Sequence, residues 1–239
     1  MTARAATLLA RATIAEGTMA FRFEKPAGFT FKPGQAVDLA LPGGFGNDAE
    51  PRHAFSIASA PYKDDIVVAT RMRDTAYKRA LAALPVGACA QIHGPFGALT
   101  VPASGVRPVV LIAGGIGITP FMSMVRQAAH ESWRRAIALV YANRTPRSAA
   151  FLAELQQLAR ATDRLRLVAT MTAVDPARDA WDGETRPIGV PLLRDAASSL
   201  HSPLYYLAGP PGMVEGVSKV LTLAGIAEED VRTETFYGY

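Results

Sequence analysis

The stretch Val109-Val110-Leu111-Ile112-Ala113-Gly114-Gly115-Ile116-Gly117-Ile118-Thr119-Pro120 decides how this chain is read. Val109–Ala113 is a short continuous apolar run rich in β-branched residues, which suits a strand buried on both faces of a parallel sheet. Gly114, Gly115 and Gly117 then let the backbone turn tightly and leave no side chain between main chain and ligand. Thr119 stands where a helix N-cap is expected and Pro120 suits the first helical position, so a helix is predicted from Pro120 to His130. Strand, glycine turn and helix N-terminus together make a site for an anion such as a pyrophosphate; a tight turn without a ligand is the alternative. The two standard nucleotide loops do not fit. Counting from Gly115, Pro120 holds the place of the third glycine in G-x-G-x-x-G, and the lysine of a phosphate loop is missing.

The composition narrows the classes. The 239 residues are 49% hydrophobic and 19% charged, enough for one large or two ordinary folded domains. A formal charge of +4 is too small to indicate nucleic acid, although it would help to steer an acidic protein partner. The single cysteine, Cys89, excludes a disulfide within the chain and an all-cysteine iron-sulfur cluster. His53, His93, His130 and His201 lack metal-ligand spacing, and no metal is assigned. The first 17 residues carry arginines around a short apolar middle, without a clear cleavage site, and no apolar run is long enough to span a membrane. A cytoplasmic protein with no membrane insertion is expected.

Outward from the opening stretch, the two halves follow different patterns. The first hundred residues alternate with a period near two between turn residues: Thr18–Pro26, then Lys32–Gly44 with a strand between two Gly/Pro turns, then the run from Asp64 to Arg73. Such spacing predicts an antiparallel barrel or sandwich, interrupted by one helix over residues 75–84 capped by Asp74 or Thr75. Beyond about Pro102, buried strands (109–113, 136–142, 203–209) alternate with helices (120–130, 148–160, 212–225), which predicts βαβ units and a parallel sheet. The expected architecture is two domains. Residues 1–102 form an N-terminal antiparallel β-barrel and 103–239 a C-terminal parallel-sheet α/β domain, with the site in the cleft between them.

With the barrel placed before the strand-GGIGITP-helix unit, the chain resembles the ferredoxin-NADP reductase family of flavoenzymes over its full length. Lys32–Leu41 is similar to the family's Pro-Gly-Gln strand, Ala54–Ser59 to its flavin-binding Arg-x-Tyr-Ser segment, and Gly94–Gly97 to the end of its barrel. Tyr141–Thr145 resembles a nucleotide-ribose segment, Ala208–Met213 the Cys-Gly-Pro-Pro-x-Met turn, and Glu234–Tyr239 the C-terminal end. The resemblance implies a flavin-binding domain at 1–102 and an NAD(P)-binding domain at 103–239, whose C-terminal tail returns to the flavin. Two positions depart from the family. His53 stands where the flavin-binding arginine is expected, with Arg52 one residue early, and Ala208 replaces a cysteine that helps to position the nicotinamide.

Carried over residue by residue, the resemblance implies that Ser56 places a hydroxyl beside the flavin N5 and that Phe55 packs on the ring system. Arg52 and His53 would contact the flavin, Thr70 and Met72 would approach it from the preceding strand, and its pyrophosphate would lie at the helix start by Thr75. The nicotinamide dinucleotide would use Gly114, Gly115, Gly117 and Thr119, with Asn143 and Arg144 at the ribose and Gly209, Pro210 and Met213 at the nicotinamide end. Tyr239 would cover the flavin face and Glu234 would tune the site. No acidic residue follows the strand at 136–142, while Asn143, Arg144 and Arg147 do, which points to NADPH; NADH is the alternative, with Arg144 then a capping or surface charge. The expected activity is an oxidoreductase that takes a hydride from NADPH onto FAD and passes single electrons to ferredoxin, flavodoxin or another small redox protein. Two other readings stand beside it: a flavin reductase or oxygenase reductase component, with FMN possible in place of FAD, and a regulatory subunit without NADPH turnover.

Overall fold

The computed structural model describes residues 3–42, 52–102, 106–132 and 135–237. They fall into two compact units. The first comprises Met1–Val101 together with Thr119–Gln127, and the second Pro102–Ile118 together with Ala128–Tyr239.

In the first unit, β1 (Ala3–Ala15), β2 (Thr18–Glu24), β3 (Ala36–Ala40), β4 (Arg52–Ser56), β5 (Asp65–Arg71) and β6 (Cys89–Phe96) form one antiparallel sheet, ordered β4-β3-β6-β1-β2-β5. Leu8, Phe21, Phe23, Val37, Leu39, Ile66 and Ile92 from its strands form one buried apolar cluster. A closed barrel is expected from the sequence, but β4 and β5 share no ladder among the described residues. The segment after β4 meets β5 instead, with Ala58 N–H donating to the Val67 carbonyl at 2.8 Å. Helix α1 (Ala76–Ala83) packs Tyr77 and Leu81 into the same cluster. Its cap is Thr75, not Asp74: the Thr75 hydroxyl accepts from Lys78 N–H at 3.2 Å.

The longest strand, β1, is absent from the sequence expectation. Its alanine-rich and arginine-rich text reads poorly as a strand, because alanine favours helices. Two neighbours fix it: β1 pairs with β6 through Ala5↔Gln91 and with β2 through Arg11↔Phe21.

The second unit is built on a parallel sheet of β7 (Val109–Gly114), β8 (Ile137–Asn143), β9 (Leu165–Met171), β10 (Leu204–Gly209) and β11 (Val231–Thr235), in the order β11-β10-β7-β8-β9. β7 lies at its centre with Val109–Ala113 fully buried, as a continuous apolar run requires. Helices α4 (Val190–Ala197) and α5 (Pro211–Leu223) bury Leu192, Leu193, Val214, Val217 and Leu221 against Val110, Ile112, Ala138, Val140 and Leu207. Helix α3 (Leu152–Arg160) packs along β9.

Helix α2 (Thr119–His130) follows β7 after a 3-10 turn at Gly115–Ile118. The N-cap expected at Thr119 is therefore displaced, because Gly115, with φ +55°, turns the chain earlier and the residues after it are already helical. Thr119 is the first α-helical residue and is buried. Among the described residues no helix is long and apolar enough to cross a membrane.

Candidate functional site

In the first unit the predicted residues gather where β4, β5 and α1 meet. Phe55 and Ser56 end β4, opposite Val37 and Ala36 of β3, and both are buried. The Ser56 hydroxyl is a buried oxygen with no hydrogen-bond partner among the described residues. Buried polar atoms are paired in most folded proteins, so this oxygen is one that could bond a cofactor. Arg52 and His53, earlier on the strand, are exposed.

Tyr77 joins this group and was not foreseen. Its ring centroid lies 4.1 Å from that of His53 and 6.1 Å from that of Phe55, stacked in the second case, and its hydroxyl donates to the Leu39 carbonyl at 2.6 Å. Burial, reinforced by the Asp38 charge, raises its pKa well above the usual phenol value, so it remains a neutral donor. The sequence signal was an aromatic residue in the first turn of a capped helix, which reads equally well as ordinary core.

Lys78, one residue on, was also unforeseen. Its ammonium donates to the Arg71 carbonyl at 2.7 Å, and burial, then the nearby Arg73, lowers its pKa. A cation in the first helical turn opposes the helix dipole, and α1 has no acidic residue there to offset it. Thr75, Lys78 and the start of α1 thus form an electropositive end suited to a phosphate group. Thr70 and Met72 lie just before this helix. Thr70 is buried, and Met72 N–H donates to the Gly17 carbonyl at 2.8 Å.

In the second unit the predicted residues line the carboxyl ends of the parallel strands, where open α/β sheets take their ligands. Gly117 is pressed against main chain: a β-carbon there would overlap the Ala208 carbonyl and come within 2.8 Å of the Gly209 α-carbon. Gly114 and Gly209 both face the Met213 sulfur, 3.0 Å from a β-carbon built on either. Pro210 precedes α5 as its N-cap. Glycine turn, β10 end and α5 start therefore form one backbone-lined cradle. Ala208 sits within it, paired with Ala113 on one side and Glu234 on the other.

Glu234 is partly buried, and burial raises its pKa from 4.5 to about 7. Beyond it, Phe236 N–H donates to the Gly209 carbonyl at 2.9 Å, tying the end of β11 to the same cradle. Tyr239 lies outside the described residues.

Asn143 ends β8, buried, and neither its amide oxygen nor its amide nitrogen has a partner among the described residues. Its own carbonyl accepts from Thr172 N–H at 2.9 Å, and the Arg144 carbonyl accepts from Ala173 N–H at 2.8 Å. Arg144 is exposed. Arg147 is engaged differently, its Nε donating at 2.8 Å to Asp179, whose side chain is fully buried. Among the described residues no cluster of three or more His, Cys, Asp or Glu could hold a metal ion.

An antiparallel unit succeeded in the chain by a parallel α/β unit with a glycine turn at its carboxyl edge is the architecture on which the comparisons with known proteins bear. Residues 111–219 match the model of the oxidoreductase NAD-binding domain family. The chain is 30% identical over 224 residues to ferredoxin-NADP reductase B of Sorangium cellulosum, covering 90% of this chain and 89% of that protein. It is 26% identical over 225 residues to the reductase component of propane 2-monooxygenase from Rhodococcus jostii, covering 89% of this chain and 57% of that protein. The chain thus spans less than two thirds of the length of that relative. Among solved structures, a ferredoxin NADP+ reductase from Neisseria gonorrhoeae with bound FAD and NADP superposes with a TM-score of 0.80 at 22% identity, over 98% of each chain. The chain belongs to the ferredoxin-NADP reductase family.

Proposed function

We propose that the chain binds FAD in its first unit and NADPH in its second, accepts a hydride from NADPH onto the flavin, and releases electrons singly to a separate redox protein. The observation that carries this reading is a pair of orphaned polar side chains, Ser56 and Asn143, one in each unit, where a flavin and a nicotinamide dinucleotide would supply the missing partners. Bound flavin supplies the two-electron to one-electron conversion.

The chain's own residues do the rest. Ser56 donates to the flavin ring, Phe55 packs on it, and Arg52 and His53 lie beside it. Thr70 and Met72 flank the approach to α1, where Thr75, Lys78 and the helix dipole hold the pyrophosphate. Gly114, Gly115 and Gly117 let the dinucleotide approach the main chain ahead of Thr119, Asn143 bonds its ribose, and Gly209, Pro210 and Met213 shape the nicotinamide end. Glu234 holds or yields a proton near neutral pH. Tyr239 enters this reading through the resemblance alone. Because Asp179 engages Arg147, Arg144 is the residue left to meet a 2′-phosphate, which favours NADPH over NADH.

The acceptor is a small redox protein such as ferredoxin or flavodoxin, or the oxygenase partner of a multicomponent system. The names of the Sorangium and Rhodococcus relatives support one each. The purified protein should carry or take up FAD, with visible flavin absorption, and anaerobic NADPH should bleach it. A colourless protein that cannot be reconstituted overturns the reading. Arg144→Ala should raise the KM for NADPH about tenfold and leave that for NADH unchanged.

A further inference from the structure

The segment that carries Ser56 is held by two strands and a helix. Residues Ser56 to Ala60 are all buried. The segment's N–H groups are held by strands: Ile57 N–H donates to the Gln35 carbonyl, just before β3, at 2.9 Å, and Ala58 N–H to the Val67 carbonyl of β5 at 2.8 Å. The Ser59 hydroxyl adds two bonds to β5, accepting from Val67 N–H at 3.0 Å and donating to the Asp65 carbonyl at 2.9 Å.

Two of its carbonyls are held by α2. Ser123 Oγ donates to the Ser59 carbonyl at 2.7 Å, and Arg126 donates through Nη1 to the Ala58 carbonyl at 2.7 Å. Ser123 is fully buried. The two donors are three residues apart and so share a helix face. Between them Met124 lies against the turn that supplies Gln35, its methyl 2.5 Å from where a β-carbon on Gly34 would stand.

We propose that Ser123 and Arg126 are positioning residues: they lock the Ile57–Ser59 backbone so that the unpartnered Ser56 hydroxyl keeps the direction a flavin requires. This inference rests on the proposed flavin site. The strands hold the N–H groups of Ile57 and Ala58 and the Ser59 hydroxyl; with the Ala58 and Ser59 carbonyls bonded to α2 as well, the segment cannot turn without breaking charge-assisted or buried hydrogen bonds. The energy in these bonds fixes orientation, and orientation governs transfer.

Two measurements test it. In the protein without flavin, amide exchange at Ile57 and Ala58 should quicken about tenfold in Ser123→Ala and more in Arg126→Met, and return toward the parent rate in Arg126→Lys. Exchange unchanged in both variants overturns the proposal. In flavin-loaded protein, Ser123→Ala should slow flavin reduction by NADPH about fivefold with the KM for NADPH unchanged, and should add nothing in a Ser56→Ala background. Full additivity of the two substitutions overturns it. Should Arg126→Met fail to fold, Ser123→Ala, which removes one oxygen, still decides. Because the exchange measurement uses no flavin, a protein that never binds flavin would sink the functional reading and leave the positioning claim separately readable.

Discussion

The two units build their candidate sites from different materials. In the antiparallel unit the site is made of side chains: Phe55 and Ser56 at a strand end, Tyr77 and Lys78 on a short helix. In the parallel unit it is made mostly of main chain, where Gly114, Gly117 and Gly209 bring strand ends together with no β-carbons between them. The difference follows from the sheets. An antiparallel strand half-buried on one face can spend alternate side chains on a ligand, whereas a central parallel strand buries both faces and offers only the turn at its end. Substitutions that add volume should therefore damage the second unit, and those that remove a polar atom should damage function in the first.

The largest effect is expected at Gly117. A β-carbon there would overlap the Ala208 carbonyl and come within 2.8 Å of the Gly209 α-carbon, so main chain must move. Gly117→Ala should cost about 3 kcal/mol or more, read as a lowered urea midpoint. Gly114→Ala meets the flexible Met213 side chain first and should cost about 1 kcal/mol. Equal costs at the two positions would show that the cradle yields as a whole, breaking the contrast between rigid main chain and adaptable side chain.

The glycine turn was legible in the sequence because its signal is local: an apolar run, three glycines and a helix start within twelve residues. The two-unit order and Thr75 as one of two possible caps were legible for the same reason. What could not be read was non-local. Nothing within β1 says that it pairs with β6 about eighty-five residues away, and its alanine content argues against a strand. The hydrogen bonds from Ser123 and Arg126 to carbonyls more than sixty residues distant leave no periodic trace. Lys78 and Tyr77 were hidden in a helix whose pattern reads as plain amphipathic packing. The 3-10 turn was missed because Thr119-Pro120 marks a helix start well enough to mask a turn already coiled at Gly115.

The next largest effect tests the side-chain half of the contrast. Ser56→Ala removes an oxygen that no described residue satisfies, so the flavin-free protein should be as stable as the parent or slightly more so. The rate of flavin reduction by NADPH should nevertheless fall about tenfold, which equals about 1.4 kcal/mol of lost transition-state stabilisation. Stopped-flow reduction alongside urea unfolding checks both halves. A variant that is less stable and equally fast would mean that the hydroxyl serves the fold and has no part in transfer.

Glu234 carries the comparison to the edge of the parallel sheet, where a side chain does intrude. Burial raises its pKa to about 7. The folded carboxyl keeps its proton up to that pH, while the unfolded one loses it near 4.5. Between these values the folded chain binds more protons, so rising pH favours unfolding. Stability should fall from about pH 4.5 to 7 and be flat in this group above that range, by an amount on the order of 1 kcal/mol once solvent screening is allowed for. Glu234→Gln should remove that slope, as urea midpoints between pH 5 and 8 would reveal. An unchanged slope would assign the dependence to another group.

The smallest effect is the control on which the glycine comparison rests. Gly216 lies inside α5, and a β-carbon built there meets nothing within 4 Å. Alanine at a helix-interior glycine recovers backbone entropy and helix propensity, so Gly216→Ala should stabilise the chain by about 0.5 to 1 kcal/mol. Urea midpoints for Gly117→Ala, Gly114→Ala and Gly216→Ala should then fall in the order set by what each new methyl meets: main chain, a flexible side chain, open space. If Gly216→Ala destabilised as much as Gly117→Ala, the parallel unit would be intolerant of any glycine replacement. The close approach at its carboxyl edge would then lose its claim to be a specialised cradle.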